Sequence, residues 1–125
     1  MLKVLLADDE PVILRGLKKI IPWEDYGLEI IGEATNGLDL LETAKENLPD
    51  LIISDISMPG LSGIEVIEQM RKLDLSTKFI FVSAYNDSAH INTAKEYGAE
   101  DYLIKPINKD ELEQVIVRTI KAIAS

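Results

Sequence analysis

The chain has no cysteine and a single histidine among its 125 residues. Without cysteine there is no disulfide framework, no thiolate nucleophile and no cysteine-built zinc site, and a reducing cytoplasm is the expected compartment. Long hydrophobic runs are also missing. No stretch approaches the ~20 apolar residues that span a bilayer, and the first residues lack the charged-then-apolar order of a secretion signal, so no membrane association is expected. Basic side chains are few: 13 Lys and Arg stand against 22 Asp and Glu, for a net charge of −9. Nucleic-acid binding rests on Lys and Arg meeting phosphates, so this segment is not expected to touch DNA or RNA directly. Excess acidic charge of this kind ordinarily serves solubility. What is present, 46% hydrophobic and 28% charged residues, suits one globular domain with a real core.

Short apolar runs alternate with helical periodicities along the whole chain. Strands are expected at Val4–Ala7, Leu28–Ala34, Leu51–Ser54, Phe79–Ser83 and Tyr102–Ile104. Helices are expected at about Pro11–Ile21, Leu38–Asn47, Ile64–Lys72, Ser88–Tyr97 and Lys109–Ala124. Asp9 or Glu10 would cap the first, with Pro11 near its first position. Asn108 with Glu111 would cap the last. The fourth is rich in Ser, His, Asn and Thr, is expected to be the least stable, and should stop at Gly98. Such alternation implies an α/β domain, a parallel sheet with helices on both faces. The interleaved Glu29 and Glu33 fit the second strand to an edge. Trp23 is read as a packing anchor and His90 as a surface or satisfied residue.

The chemistry-bearing residues all follow strands. Asp8-Asp9-Glu10 follows the first, Asp55 the third, Ser83 closes the fourth, and Lys105-Pro106 follows the fifth. Open parallel sheets bind ligands beyond those ends. Acidic residues beside a helix start serve as caps, but three in succession repel one another, and a hard divalent cation relieves that repulsion. Asp55 before a Pro-Gly turn suits a simple turn opener. It also suits a carboxylate nucleophile toward phosphorus, given a metal and fixed partners for the phosphoryl oxygens. Lys105 offers a compact positive charge, and the Ser83 hydroxyl offers either a phosphoryl contact or a local backbone bond. Tyr102 reads as packing, and Lys105-Pro106 is a candidate cis peptide.

Taken together, Leu6-Ala7-Asp8-Asp9-Glu10-Pro11, Asp55-Ile56-Ser57-Met58-Pro59-Gly60-Leu61-Ser62-Gly63, Val82-Ser83-Ala84 and Gly98-Ala99-Glu100-Asp101-Tyr102-Leu103-Ile104-Lys105-Pro106 closely resemble the receiver domain of two-component response regulators. The resemblance covers residues 1–125. It implies a flavodoxin-like, doubly wound five-stranded sheet in the order 2-1-3-4-5. It implies Asp55 as phosphoacceptor from a sensor histidine kinase. Asp9, Asp55 and the Ser57 backbone carbonyl would ligate Mg²⁺ (or Mn²⁺), with Asp8 assisting through water. Lys105 would contact the phosphoryl group, Ser83 (commonly Thr in the family) would reorient to bond it, and Tyr102 would swing inward. Ser57 and Tyr85 sit where family members vary in dephosphorylation.

Ile21-Pro22-Trp23-Glu24-Asp25-Tyr26-Gly27 and the following Gly32-Glu33-Ala34-Thr35-Asn36-Gly37 further resemble the subgroup joined to an AraC-type helix-turn-helix domain. These residues hold no such domain, so either an excised receiver or a stand-alone protein is expected, with excision favoured. The expected mechanism is a two-state switch read out on the surface of the fourth helix, fifth strand and fifth helix, used for a homodimer on phosphorylation. An aspartyl-phosphate hydrolase would need a second acidic pair late in the chain, and a flavodoxin-type module would need a phosphate cradle where the acidic loop stands. A degenerate receiver kept only for protein contacts does not fit the intact motif set.

Overall fold

A computed structural model describes all residues except 85, 87 and 125. The expectation at Tyr85 therefore lies outside the described residues. Five strands form one parallel sheet: β1 (Leu2–Ala7), β2 (Leu28–Ala34), β3 (Leu51–Ser54), β4 (Lys78–Ser83) and β5 (Asp101–Ile104), in the order β2-β1-β3-β4-β5. Between and after them run α1 (Pro11–Ile20), α2 (Gly37–Asn47), α3 (Gly63–Lys72), α4 (Ser88–Glu96) and α5 (Lys109–Ala124). The fold is the flavodoxin-like arrangement that the alternation and the resemblance implied.

Strand side chains alternate between faces, so each central strand feeds two cores. Val4, Leu6, Ile53, Ile80 and Val82 pack with Leu14 and Leu17 of α1 and Leu112, Val115 and Ile116 of α5. Leu5, Ala7, Ile52, Phe79 and Phe81 pack with Leu40 and Ala44 of α2, Val66, Ile67 and Met70 of α3, and Ala94 of α4. Burial on both faces is why these strands are continuous apolar runs. β2 is an edge, and Glu29 and Glu33 on it are exposed. Its register against β1 slips by one residue between Val4 and Leu5, an irregularity that periodicity did not reveal.

Several local expectations are met and one is corrected. Pro11 opens α1, but the Glu10 side chain makes no capping bond. Instead Asp8 Oδ1 accepts the Glu10 N–H at 2.9 Å. That bond ties the buried acid into the turn, while the Ile13 N–H donates to the Glu10 carbonyl at 3.0 Å in place of the side chain. Asn108 Oδ1 accepts the Glu111 N–H at 2.9 Å, capping α5. Gly98, at φ +81°, follows α4 in the left-handed conformation suited to a helix stop. Among its described residues α4 buries only Ala94, in keeping with its poor helix formers. Trp23 begins an unforeseen 3-10 turn (Trp23–Tyr26), is buried, and donates its indole N–H to the Leu17 carbonyl at 3.2 Å.

That turn also holds Tyr26, whose hydroxyl donates to Glu113 Oε2 of α5. The bond to Glu113 is the main reason the Tyr26 pKa is raised, with burial and the charges of Glu113 and Asp25 adding to it. A raised folded-state pKa means a contribution that is complete below the ordinary tyrosine value of about 10 and is lost as pH rises through the folded value. Tyr26→Phe is therefore expected to lower the thermal midpoint near neutral pH, with the gap to the parent closing above about pH 10. A gap independent of pH would show that the bond does not contribute.

Candidate functional site

The strand order reverses between β1 and β3, and the crossovers leaving that point in opposite directions open a crevice beyond the carboxyl ends. Asp8 follows β1 and Asp55 follows β3. Asp8 is 2% and Asp55 6% exposed. Two like charges buried side by side are costly unless a cation lies between them. Lys105, after β5, is that cation: its Nζ lies 2.9 Å from Asp8 Oδ2 and 3.0 Å from Asp55 Oδ2. Burial alone lowers the Lys105 pKa, but the hydrogen bonds and charges of Asp55 and Asp8 outweigh it, so the net shift is upward and the ammonium stays protonated.

The two oxygens of Asp55 differ. Oδ1 accepts the backbone N–H of Ile56 at 2.6 Å and of Ser57 at 3.3 Å. Oδ2 meets Lys105. The Asp55 backbone is also pinned, its N–H donating to the Ala7 carbonyl at 2.9 Å and its carbonyl accepting the Ser54 hydroxyl at 2.7 Å. Gly63 abuts it. A Cβ added there would lie 2.3 Å from the Asp55 carbonyl oxygen, so any other residue would force the loop away.

Ser83 is buried at the end of β4, opposite Ile104, and its carbonyl accepts the Lys105 N–H at 2.8 Å. The hydroxyl-bearing residue and the lysine are thus neighbours across a strand pair. The Lys105–Pro106 bond is cis. Tyr102 is half-buried opposite Phe81, two residues deeper in the sheet, and packs against the core on the α2, α3 and α4 side. Ser57 is exposed on the loop after β3.

Asp9 and Glu10 are exposed, and one carboxylate oxygen from each lies within 4.8 Å of the others and of Asp8. Asp55 stands outside that trio, joined to it through Lys105. The donors are all hard oxygens, some buried and some facing water, a set that suits Mg²⁺ or Mn²⁺ rather than a softer metal. Sequence reasoning missed three features: Lys105 bridging two acids, the amides of Ile56 and Ser57 fixing Oδ1, and the close seat of Gly63. Gly63 was visible, but only as the last residue of the motif that begins at Asp55.

With this geometry in view, comparison with known proteins is decisive. Residues 4–117 match the response regulator receiver domain. The chain belongs to that family. This receiver is 38% identical over 120 residues to the uncharacterized transcriptional regulatory protein YesN of Bacillus subtilis (strain 168), covering 93% of the chain and 33% of YesN. It is 34% identical over 123 residues to the transcriptional regulatory protein HptR of Staphylococcus aureus (strain NCTC 8325 / PS 47), covering 98% of the chain and 48% of HptR. The receiver thus spans a third to about half the length of these relatives. Among solved structures, the receiver domain of the response regulator AraT from Geobacillus stearothermophilus superposes with a TM-score of 0.91 at 28% identity, covering 98% of this chain and 95% of that one. Among the described residues of this receiver, no helix is long and apolar enough to cross a membrane.

Proposed function

We propose that this receiver takes a phosphoryl group on Asp55 from a sensor histidine kinase and thereby controls a transcriptional output domain outside these residues. One observation carries the reading: Asp55 is buried at the strand-order reversal, with Oδ1 fixed by two amides and Oδ2, among the described residues, meeting a lysine alone. Oδ2 is therefore the oxygen free to react. It forms the O–P bond as the P–N bond to the donor histidine breaks, the electron pair returning to the imidazole.

Lys105 already stands at Oδ2 and passes to a phosphoryl oxygen as charge moves onto that group. The Ser83 hydroxyl donates to another, and Tyr102 moves inward behind it. Mg²⁺ (or Mn²⁺), held by Asp9, Asp55 and the Ser57 carbonyl with Asp8 acting through water, would supply the positive charge that lets an anionic donor approach these acids. Slow attack of water on phosphorus returns the Asp55 carboxylate. The readout is the face of α4, β5 and α5, where Ile104 is exposed, used for a homodimer on phosphorylation. The relatives' names support a transcriptional output, and its AraC type rests on the resemblance of Ile21-Pro22-Trp23-Glu24-Asp25-Tyr26-Gly27 and Gly32-Glu33-Ala34-Thr35-Asn36-Gly37 alone.

The test is intact mass after incubation with Mg²⁺ and a small acyl phosphate. A gain of one phosphoryl group with Mg²⁺, lost on adding a chelator, is expected. No gain with Mg²⁺, or an equal gain with chelator, overturns the proposal.

A further inference from the structure

The loop from Ile56 to Ser62 carries the Ser57 amide that fixes Asp55 Oδ1, and it does not stand alone. Its far corner rests on the first turn of α2. The Gly37 N–H donates to the Pro59 carbonyl at 3.2 Å. The Leu38 side chain lies over Gly60, where an added Cβ would sit 3.5 Å from Leu38 Cδ1. Gly37 itself lies flush against Leu61: a Cβ there would lie 1.9 Å from the Leu61 carbonyl oxygen and 2.5 Å from its carbon. Three successive loop residues thus meet two successive helix residues.

The seat is itself held still. Asn36 caps α2, its Oδ1 accepting the Asp39 N–H at 2.9 Å and its amide donating to Asp39 Oδ2 at 2.9 Å. On the loop side, Gly60 takes a left-handed φ of +76°, which turns the chain down onto the helix. At its other end the loop closes where the Gly63 N–H donates to the Ile56 carbonyl at 2.8 Å. The loop is therefore supported at Ile56–Gly63 and at Pro59–Leu61, with Ser57 and Met58 between the two supports.

We infer that Gly37 and Leu38 are positioning residues for the phosphoacceptor site: the first turn of α2 is the seat that sets the 57–61 corner of the loop, and through it the Ser57 backbone. The inference rests on the reading of Asp55 given above, since a seat for this loop matters only if the loop serves that carboxylate. Gly37 discriminates well. Its φ is not left-handed, and alanine is a better helix former than glycine. Alanine there would stabilise α2 if nothing pressed on it. The close approach to a backbone carbonyl predicts the opposite for the loop. Leu38 is 56% exposed, so its truncation leaves both cores intact.

The experiment measures amide hydrogen exchange in the metal-free protein for the parent, Gly37→Ala and Leu38→Ala, followed by Mg²⁺ titration of the same amide resonances. Both variants are expected to speed exchange at Ser57, Met58, Gly60 and Leu61, Gly37→Ala by ~10-fold or more and Leu38→Ala by less, with the amide of Ile53 in β3 unchanged. Half-saturating Mg²⁺ should rise several-fold in the same order. If Gly37→Ala does not fold, Leu38→Ala carries the same comparison alone. Loop exchange unchanged within about twofold, or Ile53 accelerating as much as the loop, overturns the seat. A parent chain that takes no phosphoryl group would overturn the reading of Asp55 and leave the exchange result standing.

Discussion

Asp55→Asn is expected to abolish phosphoryl uptake, a loss of at least ~10³-fold in rate, without unfolding the chain. A neutral amide has no carboxylate oxygen with which to attack phosphorus, so the covalent step has no alternative at that position. The surroundings tolerate the change. Asn is isosteric, and its oxygen in place of Oδ1 keeps the N–H bonds from Ile56 and Ser57. Lys105 retains Asp8 at 2.9 Å as its partner, so its charge is not stranded. The buried site also loses one of two neighbouring carboxylates, which relieves repulsion. Intact mass after incubation with Mg²⁺ and an acyl phosphate, read beside a thermal melt, separates the outcomes. A folded Asp55→Asn chain that gains as much as the parent would move the acceptor elsewhere, with Asp8 and Asp9 the first candidates.

The switch that follows from such a modification has a definite requirement. Moving a conformational equilibrium from 99:1 to 1:99 takes about 5.5 kcal/mol of difference in how the two states hold the new group. On the proposed reading Ser83 and Lys105 would supply it, and one backbone bond already links them across β4 and β5. The segment least able to resist is α4, which buries one described side chain. Its far end is better secured. Arg71 of α3 donates to the carbonyls of Tyr97, Leu75 and Thr77 at 2.8, 2.6 and 2.9 Å and lies over the Phe79 ring. Movement is therefore expected to concentrate at the start of α4, nearest Ser83.

Much of this was legible because the fold repeats one local device. The central strands are apolar runs buried on both faces, and Asp8, Asp55 and Lys105 each come directly after a strand, so locating the end of Leu51–Ser54 located Asp55. The edge strand was legible from Glu29 and Glu33 for the same reason, since one face of β2 meets water. What periodicity could not carry were contacts between residues far apart in sequence. Arg71 reaching Tyr97, Tyr26 reaching Glu113, and Gly37 lying on Leu61 each depend on how finished elements pack. Lys105 was read as a partner for a phosphoryl group, but nothing local said that it would rest between Asp8 and Asp55. The Glu10 cap failed on a smaller scale: the Ile13 N–H that a capping side chain would accept already donates to the Glu10 carbonyl.

Lys105→Met is expected to destabilise the metal-free chain by about 3 kcal/mol, the scale on which a buried ion pair loses one partner. The lysine side chain is 14% exposed and serves both Asp8 and Asp55. Methionine fills the same apolar path and leaves two buried carboxylates facing each other with no positive charge. Urea unfolding followed through Trp23 should show the loss as a lower midpoint with an unchanged slope. Adding Asp8→Asn to the variant should recover most of it, because one remaining carboxylate no longer meets a like charge. Mg²⁺ gives the sharper comparison. In the parent a cation approaching these oxygens must displace the Lys105 ammonium, whereas in the variant it takes the vacated place. Mg²⁺ is therefore expected to raise the midpoint of Lys105→Met more than that of the parent. Equal stability in metal-free buffer, or an equal response to Mg²⁺, would show that Lys105 is not the cation holding these two acids together.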